Sequence, residues 1–179
     1  MFMRTERLML RPIFPEDWRE VFAGIADESV VRMLARAPWP YRPADARAFC
    51  NLATDPREPR FLVTLPGSSG APVIGGIGIE RKDDGRFELG YWIGRKWQRC
   101  GYATEAVKGM LETARALGIA ELDARHFVDN PASGKVLARC GFTRIGGQET
   151  TISHGRGGVA VPSIRYMRDL SAAGFSQAA

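Results

Sequence analysis

A mixed α/β fold is predicted by three features of this 179-residue sequence. Apolar residues recur at helical spacing in the first third. Strand-like runs divided by turn signals fill the middle. The last part alternates strand, helix, strand, helix and strand. The length suits one domain with a proper core. No repeat, low-complexity linker or composition break divides the chain. One domain over residues 1–179 is therefore expected, with its core at about 5–170 and a frayed tail over 171–179.

Leu8–Pro12 reads as a first strand. Pro15-Glu16-Asp17 opens a helix with acidic residues in its first turn, and Trp18, Val21, Phe22 and Ile25 continue it. A short helix carries Val30, Val31 and Leu34. The three prolines of Pro38–Pro43 exclude helix and central strand, so a rigid loop is expected before a third helix at about 44–53. Arg60–Leu65 and Val73–Glu80 are strand-like around a turn at Pro66–Gly70, and Asp83-Asp84-Gly85 marks a hairpin into a strand at Phe87–Ile93. Val107, Met110, Leu111, Ala114 and Leu117 form one apolar helix face, which Gly118 ends. Leu122–Val128 is the next strand. Asn130 is placed as an N-cap, Pro131 as the first helical residue and Gly141 as the stop, with Val136, Leu137 and Cys140 on the buried face. Strands at about 142–153 and Ser163–Leu170 follow. The glycine-rich His154–Gly158 is expected to join them as a flexible loop.

Composition narrows the function classes. The net charge of +5 is spread without a run of five like charges, and no nucleic-acid motif accompanies it, so an anionic small ligand accounts for it better than nucleic acid. Cys50, Cys100 and Cys140 lie far apart, giving no zinc spacing and no disulfide framework; ordinary reduced thiols are expected. No metal is implied. No run approaches the ~18 apolar residues of a membrane span. The first residues lack the apolar core of a signal peptide, so a cytoplasmic location without membrane association is expected.

The most informative stretch is Trp97–Val107. A strand enters it and an apolar-periodic helix leaves it, with Gln98-Arg99-Cys100-Gly101-Tyr102-Ala103 between. Gly101 permits a tight turn and close ligand approach. Backbone N–H groups and the positive end of the following helix favour a phosphate there. A phosphate-bearing ligand held mostly by main chain is the expected occupant.

With a second motif in view, the chain resembles the GNAT superfamily of acyl-CoA-dependent N-acetyltransferases. Gln98–Ala103 resembles that family's pyrophosphate loop. Asn130-Pro131-Ala132-Ser133, followed by Gly141-Phe142, resembles its second cofactor motif. Thr5–Arg11 and Gly90–Gly94 are similar to the branch containing the bacterial ribosomal-protein N-terminal acetyltransferases. The resemblance covers about 5–170. It implies a mostly antiparallel sheet splayed in the middle, between Phe87–Ile93 and Leu122–Val128, with acetyl-CoA in the gap as co-substrate. Cofactor contacts are implied for Tyr91, Trp92, Ile93, Gln98, Arg99, Cys100, Gly101, Tyr102, Ala103, Thr104, Asn130 and Ser133. The pyrophosphate would rest on the N–H groups of Arg99, Gly101, Ala103 and Thr104.

Acetyl transfer to an amine needs a base for the ammonium, donors for the growing oxyanion and a proton for the departing thiolate. Direct attack is the family's usual route. Backbone N–H groups near Tyr91–Ile93, at an expected bulge, are candidate oxyanion donors. Glu88 is the first candidate base; its ordinary alternative is a solvent-facing strand glutamate. His126, on the opposite strand, is the next. Many relatives carry a tyrosine seven residues after the asparagine as acid, but Leu137 stands there. Ser133 is the nearest replacement, with a helix-start capping role as its alternative. Nothing near Cys100 in sequence would activate it as a nucleophile. Trp39, Tyr41 and Trp92 either line the acceptor pocket or belong to ordinary core and surface.

The acceptor reads as a protein N-terminal amine, with a small amine as the alternative. Asp27, Glu28 and Asp45 stand against Arg32, Arg36, Arg42 and Arg47 in the stretch expected to wall the pocket, which does not suit a polycation. A non-catalytic acyl-CoA-binding module is the reading from another class, with Leu137 as its sign. The resemblance leaves monomer or homodimer open.

Overall fold

The computed structural model describes residues 1–67 and 70–171. Ser68 and Ser69 of the expected Pro66–Gly70 turn, and the expected tail from residue 172 onward, lie outside the described residues.

Eight strands form one sheet: β1 (Met3–Arg4), β2 (Met9–Pro12), β3 (Arg60–Thr64), β4 (Val73–Arg81), β5 (Phe87–Ile93), β6 (Glu121–Phe127), β7 (Thr143–Ser153) and β8 (Val159–Asp169). Their order is β1-β2-β3-β4-β5-β6-β8-β7. Every pairing is antiparallel except β5 with β6. Five helices flank the sheet: α1 (Trp18–Ile25), α2 (Glu28–Val31), α3 (Pro43–Cys50), α4 (Tyr102–Ala116) and α5 (Pro131–Arg139).

The helices divide between two faces because strand side chains alternate. On one face Val107, Met110, Leu111 and Ala114 of α4 and Leu137 of α5 pack with Leu89, Ile93, Leu122 and Ala124. On the other, Val21 and Ile25 of α1, Val30 and Val31 of α2 and Ala46 of α3 pack with Leu62 and Trp92. Each large side chain so buried contributes about 1.5–3 kcal/mol. Arg11 grips Asp17 with two 2.8 Å hydrogen bonds, and Asp17 accepts from the Phe14 N–H at 2.7 Å, which closes the entry to α1. Burial alone would raise the Asp17 carboxyl, but Arg11 and the Phe14 N–H outweigh it and hold it below its usual range.

The structure differs from expectation at α3, at β8 and in the connection before β8. α3 begins at Pro43 and ends at Cys50, because Pro43 takes the first helical position and Asp45 reaches back to the Arg42 N–H at 2.7 Å. β8 starts four residues earlier than expected, at Val159. The glycine-rich connection is no free loop. His154 donates through its N–H to the Ala35 carbonyl at 2.8 Å, and Arg156 donates to the Arg32 carbonyl and forks onto Asp129. Gly155 is required there, since a Cβ would stand 2.8 Å from the Val31 carbonyl oxygen. β1, a two-residue edge strand, was too short to register as a pattern.

Candidate active site

β4 and β5 pair without interruption from Arg81↔Phe87 to Gly75↔Ile93. β5 meets β6 only at Glu88↔Asp123 and Leu89↔Ala124, whereas β6 remains paired with β8 to Phe127. The edges Gly90–Ile93 and Arg125–Phe127 therefore diverge. The gap offers strand edge on which an extended chain can lie. It does not arise from a bulge in β5, which keeps its register with β4; the register shifts lie between Val63 and Thr64 of β3 and between Ile145 and Gln148 of β7. β5 stays with β4 while β6 departs with β8.

Above the gap, Gln98 donates from its side-chain amide to the Ile93 carbonyl at 2.9 Å. Arg99 (φ 63°) and Gly101 (φ 84°) both turn left-handed, the former at a cost of order 1–3 kcal/mol. Gly101 is the N-cap of α4 and supplies no side-chain cap. The first-turn N–H groups at Tyr102, Ala103 and Thr104 are thus left without a side-chain acceptor, as an anion site requires.

The loop is latched from the N-terminus. Glu105 accepts from the Thr5 hydroxyl at 2.6 Å, the Arg7 N–H at 2.7 Å and Arg7 Nε at 2.8 Å. Arg7 Nη1 also donates to the Cys100 carbonyl at 3.1 Å. Burial would raise the Glu105 carboxyl, but these donors prevail and lower it. The latch was invisible in the sequence, because its partners stand about a hundred residues apart.

At the other edge, Asn130 caps α5, its Oδ1 accepting from the Ser133 N–H at 3.3 Å. Ser133 Oγ lies 2.8 Å from the Tyr91 hydroxyl. Burial pushes that phenol up to about 12, partly offset by the Ser133 hydrogen bond. Leu137 is fully buried, so its place is taken by core. Tyr91 as the serine's partner was missed by sequence reasoning; the two are 42 residues apart.

Glu88, Gly90 and Trp92 line a cavity of about 560 Å3 on the other face, beneath α1–α3 and the 34–38 segment. Glu88 faces this cavity rather than bulk solvent, 16% exposed, accepting from Arg125 Nε at 2.8 Å with Lys82 Nζ at 3.5 Å. A Cβ at Gly90 would meet nothing within 4 Å, so the glycine leaves the wall open. Tyr41 and Trp92 line the cavity; Trp39 lies outside it and is 40% exposed. His126 is buried on the α5 face, with Nδ1 2.7 Å from the Phe127 carbonyl oxygen, away from the cavity that Glu88 faces. Cys100 is exposed and its thiol contacts only the Gln98 carbonyl, at 3.5 Å. Cys50 and Cys140 are buried thiols, and burial raises both, Cys50 to about 11.

The sequence pattern of the acetyltransferase (GNAT) domain matches residues 7–143. The chain is similar to the uncharacterised N-acetyltransferase YnaD of Bacillus subtilis (strain 168), with 26% identity over 152 residues, 82% of this chain and 85% of the relative. It shares its fold with the GNAT-family acetyltransferase of Bacillus anthracis, at a TM-score of 0.81 and 24% identity, covering 95% of this chain and 99% of that one. It also shares the fold of the microcin C7 self-immunity acetyltransferase MccE, whose structure holds acetyl-CoA and AMP, at a TM-score of 0.75 and 18% identity, covering 92% and 93%.

Proposed function

This chain belongs to the GNAT acetyltransferase family, and from that premise we propose that it moves the acetyl group of acetyl-CoA by direct attack of a primary amine, the amine being a protein N-terminus. The observation that carries the site assignment is the parting of β5 from β6 beside an uncapped α4 N-terminus, with Glu88 lining a cavity on the opposite face.

The residues fit acetyl-CoA. The N–H groups of Arg99, Gly101, Ala103 and Thr104 would hold the pyrophosphate. The free edges of β5 and β6 would hold the pantetheine arm, framed by Asn130. When bound, acetyl-CoA supplies an acetyl group already activated as a thioester. Glu88 takes the ammonium proton, directly or through water. Lys82, its looser partner at 3.5 Å, is the one an arriving ammonium displaces. Backbone N–H groups of Tyr91–Ile93 donate to the carbonyl oxygen as charge grows on it. Ser133 donates its hydroxyl proton to the sulfur. Tyr91, holding its proton far above neutral pH, donates to Ser133 Oγ and leaves the serine hydrogen free for that task.

The cavity supports an acceptor with an apolar group and no cluster of positive charge. Leu34, Phe49 and Leu52 line it, and its cations Arg36, Arg60, Lys82 and Arg125 outnumber its acids Asp45, Glu80 and Glu88. A polyamine would meet net repulsion. The second reading is a small neutral or acidic amine. It is favoured by the β7–β8 turn, which packs on the carbonyls of Val31 and of the cavity-lining Ala37 and so backs that segment of the wall.

The test is thiol release from acetyl-CoA with two acceptor pools, peptides of varied N-terminus and small amines, for the wild-type protein and Glu88→Gln. Release with peptides, reduced about 10²- to 10⁴-fold in the variant with acetyl-CoA binding retained, is the expected result. Release with small amines alone would replace the first acceptor by the second. Binding without release in either pool would favour the non-catalytic module.

A further inference from the structure

A second concave surface lies away from the acceptor cavity, between the outer sides of α4 and α5. It is a groove of about 420 Å3 lined by Lys108, Glu112 and Arg115 of α4, Arg139 of α5, Gly141 after it, and Arg168 of β8. Four cations converge there against one carboxylate. Glu112 is committed to Arg115, in a 2.5 Å ion pair. Lys108, Arg139 and Arg168 have no ion-pair partner among the described residues. Arg115 Nε is buried without a hydrogen-bond partner. Arg168 lies flat across Gly141, where a Cβ would come within 2.8 Å of Nη1, so the glycine admits the guanidinium to the groove. Like charges gathered in a concavity raise the local concentration of anions and gain most from one of compact multiple charge.

The groove's position tells which anion. The Cys140 thiol, on the groove wall, contacts the Thr104 carbonyl at 3.6 Å. Thr104 belongs to the first turn of α4, where the pyrophosphate is assigned. Lys108 stands one turn further on the same stripe, a rise of about 6 Å, and side chains on a helix lean towards the preceding turn, here that of Thr104. Beyond its pyrophosphate, coenzyme A carries a ribose bearing a 3′-phosphomonoester, a dianion within a few bonds.

We propose that this groove is the anchor for the 3′-phosphate of coenzyme A, with Lys108, Arg139 and Arg168 as its ligands, so that the protein discriminates phosphorylated from dephosphorylated cofactor. The proposal rests on the assignment of acetyl-CoA to the gap and loop. Of the other cations near the loop, Arg7 is held by Glu105 and the Cys100 carbonyl, Lys96 lies over the Trp97 ring, and Arg99 stands on the loop itself, where the pyrophosphate is assigned.

The test is equilibrium binding of coenzyme A and 3′-dephospho-coenzyme A to the full chain at low salt, which needs no knowledge of the acceptor. The wild-type protein should bind coenzyme A at least roughly tenfold more tightly, as expected for charge-assisted hydrogen bonds, and the margin should shrink with added salt. The double variant Arg139→Gln/Arg168→Gln should lose that margin while binding 3′-dephospho-coenzyme A as the wild type does. Lys108→Gln, at an exposed position, should lose part of it. Adenosine 3′,5′-bisphosphate should compete with coenzyme A far better than inorganic phosphate. Equal wild-type affinities, a margin that survives the double variant, or equal competition by inorganic phosphate would each overturn the proposal. A protein that turns over acetyl-CoA but shows no margin refutes the anchor alone. One that shows the margin but acetylates neither pool refutes the proposed function alone.

Discussion

At the scale of residues, the chemistry rests on groups whose neighbours are set by the fold. Ser133 Oγ shares a 2.8 Å hydrogen bond with the Tyr91 hydroxyl, and the family's usual acid position is filled by buried Leu137. Tyr91→Phe removes one hydroxyl and keeps the ring. It should lower kcat several-fold with little change in KM for acetyl-CoA, and Ser133→Ala should do at least as much. If the two hydroxyls act in series, the double variant will be no slower than Ser133→Ala. Additive losses measured in this cycle would show that the Tyr91 hydroxyl acts independently of Ser133. Some of these roles were legible in sequence and some were not. Gly101 and Asn130 were, because the backbone itself demands them: a left-handed φ in one case, an N-cap in the other. Glu88 was legible only as a candidate, since alternation along β5 gives its face but not what covers that face. Tyr91 was read for its main chain, and nothing local tells that its hydroxyl reaches Ser133.

At the scale of elements, α4 follows the loop proposed to hold the cofactor and is itself held by the N-terminal segment through Glu105. The lowered Glu105 carboxyl sets the sign of a pH effect. A group whose folded value is depressed adds stability that is complete above its ordinary value, 4.5, and is lost as pH falls through the lowered one. Glu105→Gln should therefore cost about 1–2 kcal/mol near neutral pH and raise KM for acetyl-CoA. The difference in Tm between wild type and variant should shrink as pH drops below that range. A difference that stays constant down to strongly acid pH would contradict the latch. Elements with strong internal signals, such as β5, α4 and α5, were legible nearly to the residue, because their apolar periods and glycine stops agree. The β7–β8 turn misled: five residues with three glycines read as free chain, yet the small size of Gly155 is what lets the turn seat against Val31 and Ala37.

At the scale of the whole molecule, one sheet separates two jobs. Its α4–α5 side presents the loop, Ser133 and the basic groove, and its α1–α3 side presents the cavity proposed for the acceptor. The gap between β5 and β6 is the place where the two sides communicate. The order of elements made the mixed α/β class legible. The gap's cause was not, because divergence of β6 with β8 is a property of pairing across the whole sheet. In the proposed function this gap holds the cofactor with its sulfur at Ser133. The most direct test is a crystal structure with coenzyme A bound. The pantetheine arm is expected between Gly90–Ile93 and Arg125–Phe127, the pyrophosphate on the N–H groups of Arg99–Thr104, and the sulfur within hydrogen-bonding reach of Ser133 Oγ. Coenzyme A seated outside the gap, or with its sulfur turned away from Ser133, would contradict it.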